Sequence, residues 1–231
     1  MRFVTYLFTM LVLLSSAAYA SRTTDHPTTR SNWNAKKHVI VDASVKAGIN
    51  PSVMTTLAFR ESRFGQAKNM FQFKPRTWNA MIKRHGKKYG FGPNTSRNNE
   101  RANVLMTIEY AKENRELMGK LLKRPITDDE VMMAHFLGAG GAIKILRAKN
   151  DRLAANVLPG AAAGNKPYFY HNANKGKRSG RFVAGKPMTV AQFKENLRQE
   201  ARDIDRLYGN EARALALFKH DRDTFTAWRR N

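Results

Sequence analysis

The chain has 231 residues, 42% of them hydrophobic, which is enough for one sizeable domain or two small ones around a packed core and excludes disorder throughout. It contains no cysteine, so disulfide staples and thiolate chemistry are excluded, and its six histidines form no cluster with metal-ligand spacing, so neither a metal nor a cofactor is expected. Forty-one lysines and arginines against eighteen acids give a formal charge of +23, which points to an anionic partner: nucleic acid, lipid headgroups or the anionic polymers of a bacterial envelope.

In chain order, Arg2 precedes an apolar run over residues 3–14, and Ala18, Tyr19 and Ala20 form the small-x-small pattern that signal peptidase cuts after. Residues 1–20 therefore read as a signal peptide cleaved near Ala20, which places the mature chain in the periplasm or cell envelope. An uncleaved N-terminal anchor is the alternative, although the apolar part falls short of the roughly 20 residues that span a bilayer. Residues 21–33 are polar and Thr-rich and read as a linker.

Helix signals then recur, and strand signals are scarce. A helix through "AKKHVIVDASVKAG" stops at Gly48. Asn50 and Pro51 open the next, with Asn as N-cap and Pro in the first turn. Pro75 opens "RTWNAMIKRHG", and Asn98 or Asn99 opens a long helix from Glu100 onward. Thr127 with Glu130, and Thr189 with Gln192, are capping boxes. "GAGGAIKILRAK" restarts a short helix, and Asn210 caps a last one. Between them, residues 165–187 are rich in Gly, Asn and Lys and read as a long loop or a small ribbon. The expected class is all-α, with residues 209–231 a basic C-terminal helical extension, packed on the rest or appended to it.

One carboxylate stands out. On the helix opened by Pro51, Val53, Leu57 and Glu61 recur every fourth residue and share one face, widened by Met54 and Ala58. Glu61 thus points where the apolar residues point, toward the core or a cleft wall. Desolvation there favours the neutral acid, the form that protonates a leaving oxygen. A buried ion pair with a nearby arginine is the competing explanation. From Ser62 to Asn99 no Asp or Glu follows, while lysine and arginine occur nine times.

"ESRFG" followed by "AKNMFQF" and "KPRTW" resembles the catalytic region of lytic transglycosylases with a lysozyme-like fold. That family places a Glu-Ser pair at a helix end, then a turn ending in Gln; here Asn69, Met70, Phe71 and Gln72 stand in the turn. Further on, Ala134, His135, Phe136, Leu137 and Gly138 resemble the family's Ala-Tyr-Asn-x-Gly motif in a phage-type variant. The resemblance runs from about His38 to about Leu197 and implies a lysozyme-like domain over residues 34–208. It departs from the family in a short loop between Glu61 and Gln72, and in Phe136 where many members have Asn.

The resemblance implies a peptidoglycan lytic transglycosylase that cleaves the β-1,4 bond after N-acetylmuramic acid and leaves a 1,6-anhydro ring. A hydrolase of the usual kind needs two carboxylates, whereas this chemistry needs one acting twice, and that fits the acid-free stretch after Glu61. Glu61 is the catalytic candidate. Ser62, Gln72, Phe136, Tyr168 and Tyr170 are the substrate-binding candidates, with Tyr170 preferred as the tyrosine that closes the family's cleft. Glu100, Glu109 and Asp128 are the distant acids that sequence spacing leaves open as a second carboxylate beside Glu61. His135, Phe73 and Trp78 read as packed residues. The expected partners are peptidoglycan glycan strands, with the basic surface attracting anionic envelope polymers. No specific nucleic acid is expected, because no interleaved basic and aromatic motif is present, and the chain is expected to be a monomer. The alternatives are a hydrolytic muramidase of similar fold and a non-catalytic cationic module binding envelope polymers or nucleic acid.

Overall fold

The structure is a computed structural model that describes residues 25–66, 69–171, 174–175, 182–183 and 185–228. The expected signal peptide, its cleavage near Ala20 and the alternative anchor lie outside the described residues, as do residues 21–24 of the expected linker. Among the described residues no helix is long and apolar enough to cross a membrane.

The chain is mainly helical. Its elements in order are α1 (Pro27–Ala47), α2 (Pro51–Ser62), α3 (Pro75–His85) with a 3-10 turn (Gly86–Tyr89), α4 (Glu100–Leu122), α5 (Asp128–Arg147), and three short helices α6 (Ala154–Val157), α7 (Pro159–Gly164) and α8 (Lys166–Phe169). A ribbon of two-residue strands, β1 (Asn174–Lys175) and β2 (Phe182–Val183), follows, then α9 (Val190–Ile204), a π turn (Asp205–Gly209) and α10 (Asn210–Trp228). The strands pair antiparallel, Asn174 with Val183 and Lys175 with Phe182. They make a small ribbon of the segment expected to be a loop or a ribbon.

The helix ends follow the local chemistry. Asn50 accepts from the Ser52 N–H (3.0 Å) ahead of Pro51. Thr127 and Glu130 form a reciprocal capping box, as do Thr189 and Gln192. Asn99 caps α4 by accepting from the Ala102 N–H (2.9 Å). α5 bends at Gly138, where φ 71° and ψ 156° lie in a region that only glycine enters at little cost, so the helix restarts after the motif that ends there.

Two sequence expectations are corrected. The linker expected over residues 21–33 is helical from Pro27, because His26 accepts from the Thr28 N–H and Pro27 pre-sets the first turn. Trp33, at its end, is fully buried. The chain also does not break at Asn210: α9 runs through the π turn straight into α10. A side chain at Gly209 would collide with the Asp205 carboxylate, which accepts from the Ser52 hydroxyl and from Arg213 (2.6 and 3.0 Å).

The chain divides into two compact units. One contains Thr23–Tyr110 and Arg202–Asn231, the other Ala111–Ala201, so the single domain expected over residues 34–208 is shared between them. In the first unit, α10 and the π turn pack on α1 and α2, so the C-terminal segment is packed rather than appended. An aromatic knot fills this unit: Phe64 lies 5.0 Å from Trp33, 5.8 Å from Phe59 and 4.9 Å from Tyr208, centroid to centroid. The polar tips of the knot are satisfied, Trp33 Nε1 donating to Glu211 (2.8 Å) and the Tyr208 hydroxyl to Asp25 (2.7 Å). Burial, reinforced by that bond, pushes the Tyr208 phenol well above its ordinary range. In the second unit, the rings of Phe169 and Phe193 (4.7 Å) and of Phe136 and Tyr168 (4.6 Å) pack at a tilt, and Leu153 bridges Thr189 ahead of α9.

Several carboxylates are held ionised by this fold. Burial pushes Glu109 up, but hydrogen bonds from Lys88 and Tyr89 outweigh it and keep it below the usual carboxylate range. Burial likewise raises Asp205, and Arg213 and Ser52 more than compensate. The Arg124 guanidinium lowers Glu130 against its burial. A carboxyl whose folded pKa is depressed contributes stability that is complete above its unfolded pKa, about 4. That contribution is lost as pH falls through the folded value. The melting temperature is therefore expected to fall steeply below about pH 4, and Glu109→Gln should flatten that acid limb in a thermal-melt series. An unchanged acid limb would contradict the assignment.

Candidate functional site

Glu61 occupies the last turn of α2 and is 8% exposed. Leu57 and Val53, one and two turns back, are buried with it, as the four-residue spacing requires. α2 is buried on nearly all sides rather than along one stripe, so the helix that carries Glu61 is a central element of its unit.

The end of α2 is unusual. Arg63, Phe64 and Gly65 all have positive φ (49°, 62° and 87°), and the Arg63 and Phe64 N–H groups donate back to the Phe59 and Ala58 carbonyls (2.8 and 3.1 Å). A left-handed non-glycine residue costs about 1–2 kcal/mol. Full burial of a phenylalanine returns about 1.5–3 kcal/mol, and each ring pair adds about 0.5–1.5 kcal/mol. The balance favours the strained turn because Phe64 sits inside the aromatic knot. The cap thus fixes where α2 stops, and with it the position of Glu61.

Ser62 fastens a second turn to this helix end. Its hydroxyl donates to the Met70 carbonyl (2.7 Å) and accepts from the Gly65 N–H (2.7 Å). Its one proton is committed to the loop, so Ser62 acts by positioning and not as a donor to a ligand. The turn over residues 69–73 is held from within and from α4. Asn69 accepts from the Phe73 N–H (3.2 Å) and donates to the Phe73 carbonyl (2.9 Å). Asn103, 1% exposed on α4, donates to Asn69 Oδ1 (2.7 Å) and accepts from the Phe71 N–H (2.9 Å). Arg97 donates to the Phe73 carbonyl (2.7 Å). Gln72, half-buried with φ 51°, donates through Nε2 to the Asn69 carbonyl (2.6 Å). Ser62, Gln72 and Glu61 are therefore parts of one braced structure. Asn69 and Asn103 carry that bracing, although no local sequence pattern marks them: they pair across 34 positions.

The remaining candidates lie in the other unit. Phe136 and Tyr168 are 4% and 3% exposed, with their rings packed together, and the Tyr168 hydroxyl reaches Glu200 at 3.5 Å. Both are core residues of their unit. Tyr170 is half-buried, follows α8 and bridges Pro187, which leaves it the most accessible of the three. His135, Phe73 and Trp78 are buried, in keeping with the packing roles read from the sequence, and Trp78 Nε1 donates to the Thr95 carbonyl (2.8 Å).

The three distant acids each have a cation of their own. Glu100 pairs with Lys36, Glu109 with Lys88 (2.8 Å) and with His85 at 3.6 Å, and Asp128 with Arg115 (2.6 Å). Among the described residues no group of three or more acids, histidines or cysteines is gathered in a way that suits a metal. No protein-family model matches the chain.

Asn103→Ala leaves the buried Phe71 N–H without its acceptor, which costs about 1–3 kcal/mol. Denaturant unfolding should report that loss, and native-state hydrogen exchange should show early deprotection at residues 69–73. Protection there equal to wild type would refute the bracing role.

Proposed function

We propose that the chain is a peptidoglycan lytic transglycosylase with Glu61 as its single acid and base. The observation that carries this reading is a buried carboxylate on the last turn of α2 with the Gln72 turn fastened beside it through Ser62 and Met70. That is the arrangement the sequence resemblance implies. The pairing of Glu100, Glu109 and Asp128 with cations of their own supports a one-carboxylate chemistry over a two-carboxylate hydrolysis.

In the proposed reaction, Glu61 gives its proton to the glycosidic oxygen as the C1–O4 bond breaks. The resulting carboxylate takes the proton of the same sugar's 6-hydroxyl, whose oxygen forms the new bond to C1. One proton leaves Glu61 and one returns, so the residue is regenerated and no water is consumed. In this reading Gln72 holds a substrate amide, and the bond from its Nε2 to the Asn69 carbonyl orients its side chain. The exported location read from residues 1–20 would bring the enzyme to its polymer, and the net positive charge would hold it there with salt-sensitive strength.

Digestion of purified peptidoglycan by the wild type and by Glu61→Gln tests the assignment. The amide keeps the shape and removes the proton transfer, so the rate of muropeptide release should fall by about 10²-fold or more, with wall binding and the melting temperature retained. Release at the wild-type rate would refute Glu61 as the catalyst, and a wild-type protein that binds walls without cutting them would favour the non-catalytic module.

A further inference from the structure

α3 begins where the Gln72 turn ends, with Lys74 as its N-cap and Pro75 as its first residue. It buries Trp78, Met81 and Ile82, and its exposed side presents Arg76 and Lys83 two turns apart, about 10 Å along the axis. Lys87 is exposed on the 3-10 turn that follows. Between residues 74 and 99 the chain holds seven cations and no acid. Lys88 lies against Glu109, but Lys74, Lys83 and Lys87 have no acid partner among the described residues. The loop over residues 90–99 adds Arg97, whose guanidinium donates to the uncharged Phe73 carbonyl (2.7 Å) at the start of the same helix. Elsewhere in this unit Arg30, Lys36, Lys37 and Arg213 each lie against a carboxylate. Like charges left together repel and destabilise the compact state, so this unmatched run calls for an anionic ligand.

We propose that Lys74, Lys83, Lys87 and Arg97 form a cationic track for the peptide-stem carboxylates of a glycan strand, leading away from the Gln72 turn. The inference rests on the proposed transglycosylase reading, since its ligand is the polymer assigned to Glu61. Charge and surface character select the ligand. Among the described residues of 74–99 none is an exposed large apolar side chain: Phe91 is half-buried, with Arg101 over its ring at 5.1 Å. The track thus has nothing to insert into a bilayer and no apolar centre for a protein interface. A hydrated strand bearing repeated carboxylates needs neither. Continuity favours the substrate over other polyanions, because the track starts at the turn that holds Gln72. Each exposed pair is weak, so the track works by number and its strength falls with salt.

Binding of soluble glycan strands to the full chain carrying Glu61→Gln, which removes cutting from the readout, tests the proposal. Strands with free stem carboxylates should bind about fivefold tighter at low salt than the same strands with those carboxylates converted to methylamides. Adding Lys74→Ser, Lys83→Ser and Lys87→Ser should bring the two affinities together, with circular dichroism confirming the fold. A control with equal charge loss in the other unit, Lys144→Ser, Lys149→Ser and Arg152→Ser, should keep them apart. A preference that survives in the track variant, or that the control loses equally, would overturn the proposal. Tighter binding of poly(glycerol phosphate) at matched charge would overturn it too, by assigning the track to a phosphodiester polymer. If the preference holds but the wild type cuts no glycan, the transglycosylase reading falls and the track stands as a binding surface.

Discussion

Phe64 is held in a left-handed backbone conformation by three rings packed around it, and the geometry of the candidate site depends on that restraint. Without Trp33, Phe59 and Tyr208, the turn at residues 63–65 would relax and α2 would have no fixed end. Glu61 is two residues before that turn and Ser62 one, so the knot sets the acid's place and the anchor point of the Gln72 turn together. The rings come from α1, α2 and the π turn, the last of which lies far from the other two in sequence. Their closure explains why the C-terminal helices are packed and why Trp33 lies in a helix. Stability and the geometry of the candidate site are thus joined at one cluster: strain accepted at the cap is offset by the burial it makes possible.

Electrostatics sorts the acids of this basic chain. Glu109, Glu130, Asp205 and Glu211 lie close to cations and are held below the usual carboxylate range, so they serve the fold as ions. Glu211 illustrates the balance: its burial is outweighed by Lys37 and Trp33, and the same contacts tie α10 to α1. Glu61 is distinguished by where it sits, at a braced helix end that opens a stretch of 38 residues, 62–99, without another acid. A chemistry that uses one carboxylate twice fits that distribution.

The local part of the fold was legible in the sequence. Asn50 with Pro51, Thr127 with Glu130 and Thr189 with Gln192 state their caps within four residues, and each cap forms. The buried face with Val53, Leu57 and Glu61 was legible for the same reason, since helical spacing is a local rule. Long-range partners were not. Nothing near Asn69 announces Asn103, and nothing near Trp33 announces Glu211. The polar composition of residues 21–33 hid a helix whose burial is decided by the C-terminal segment. The continuous run from α9 into α10 was hidden because Asn210 has the chemistry of a cap, while the deciding contact is the Asp205 carboxylate seated against Gly209. Ser62 read as a substrate-binding candidate, and its bond to the Met70 carbonyl, eight residues on, was not legible in the sequence.

The central claim is that one carboxylate cuts a glycan strand without water. Digestion of peptidoglycan in water enriched in oxygen-18, with the released muropeptides weighed by mass spectrometry, tests that claim most directly. The account predicts products that end in an anhydro ring, carry no heavy oxygen at the cleaved anomeric carbon, and are one water lighter than hydrolytic products. Products that each carry one heavy oxygen there would contradict it, and would require a second group beside Glu61 to activate a water.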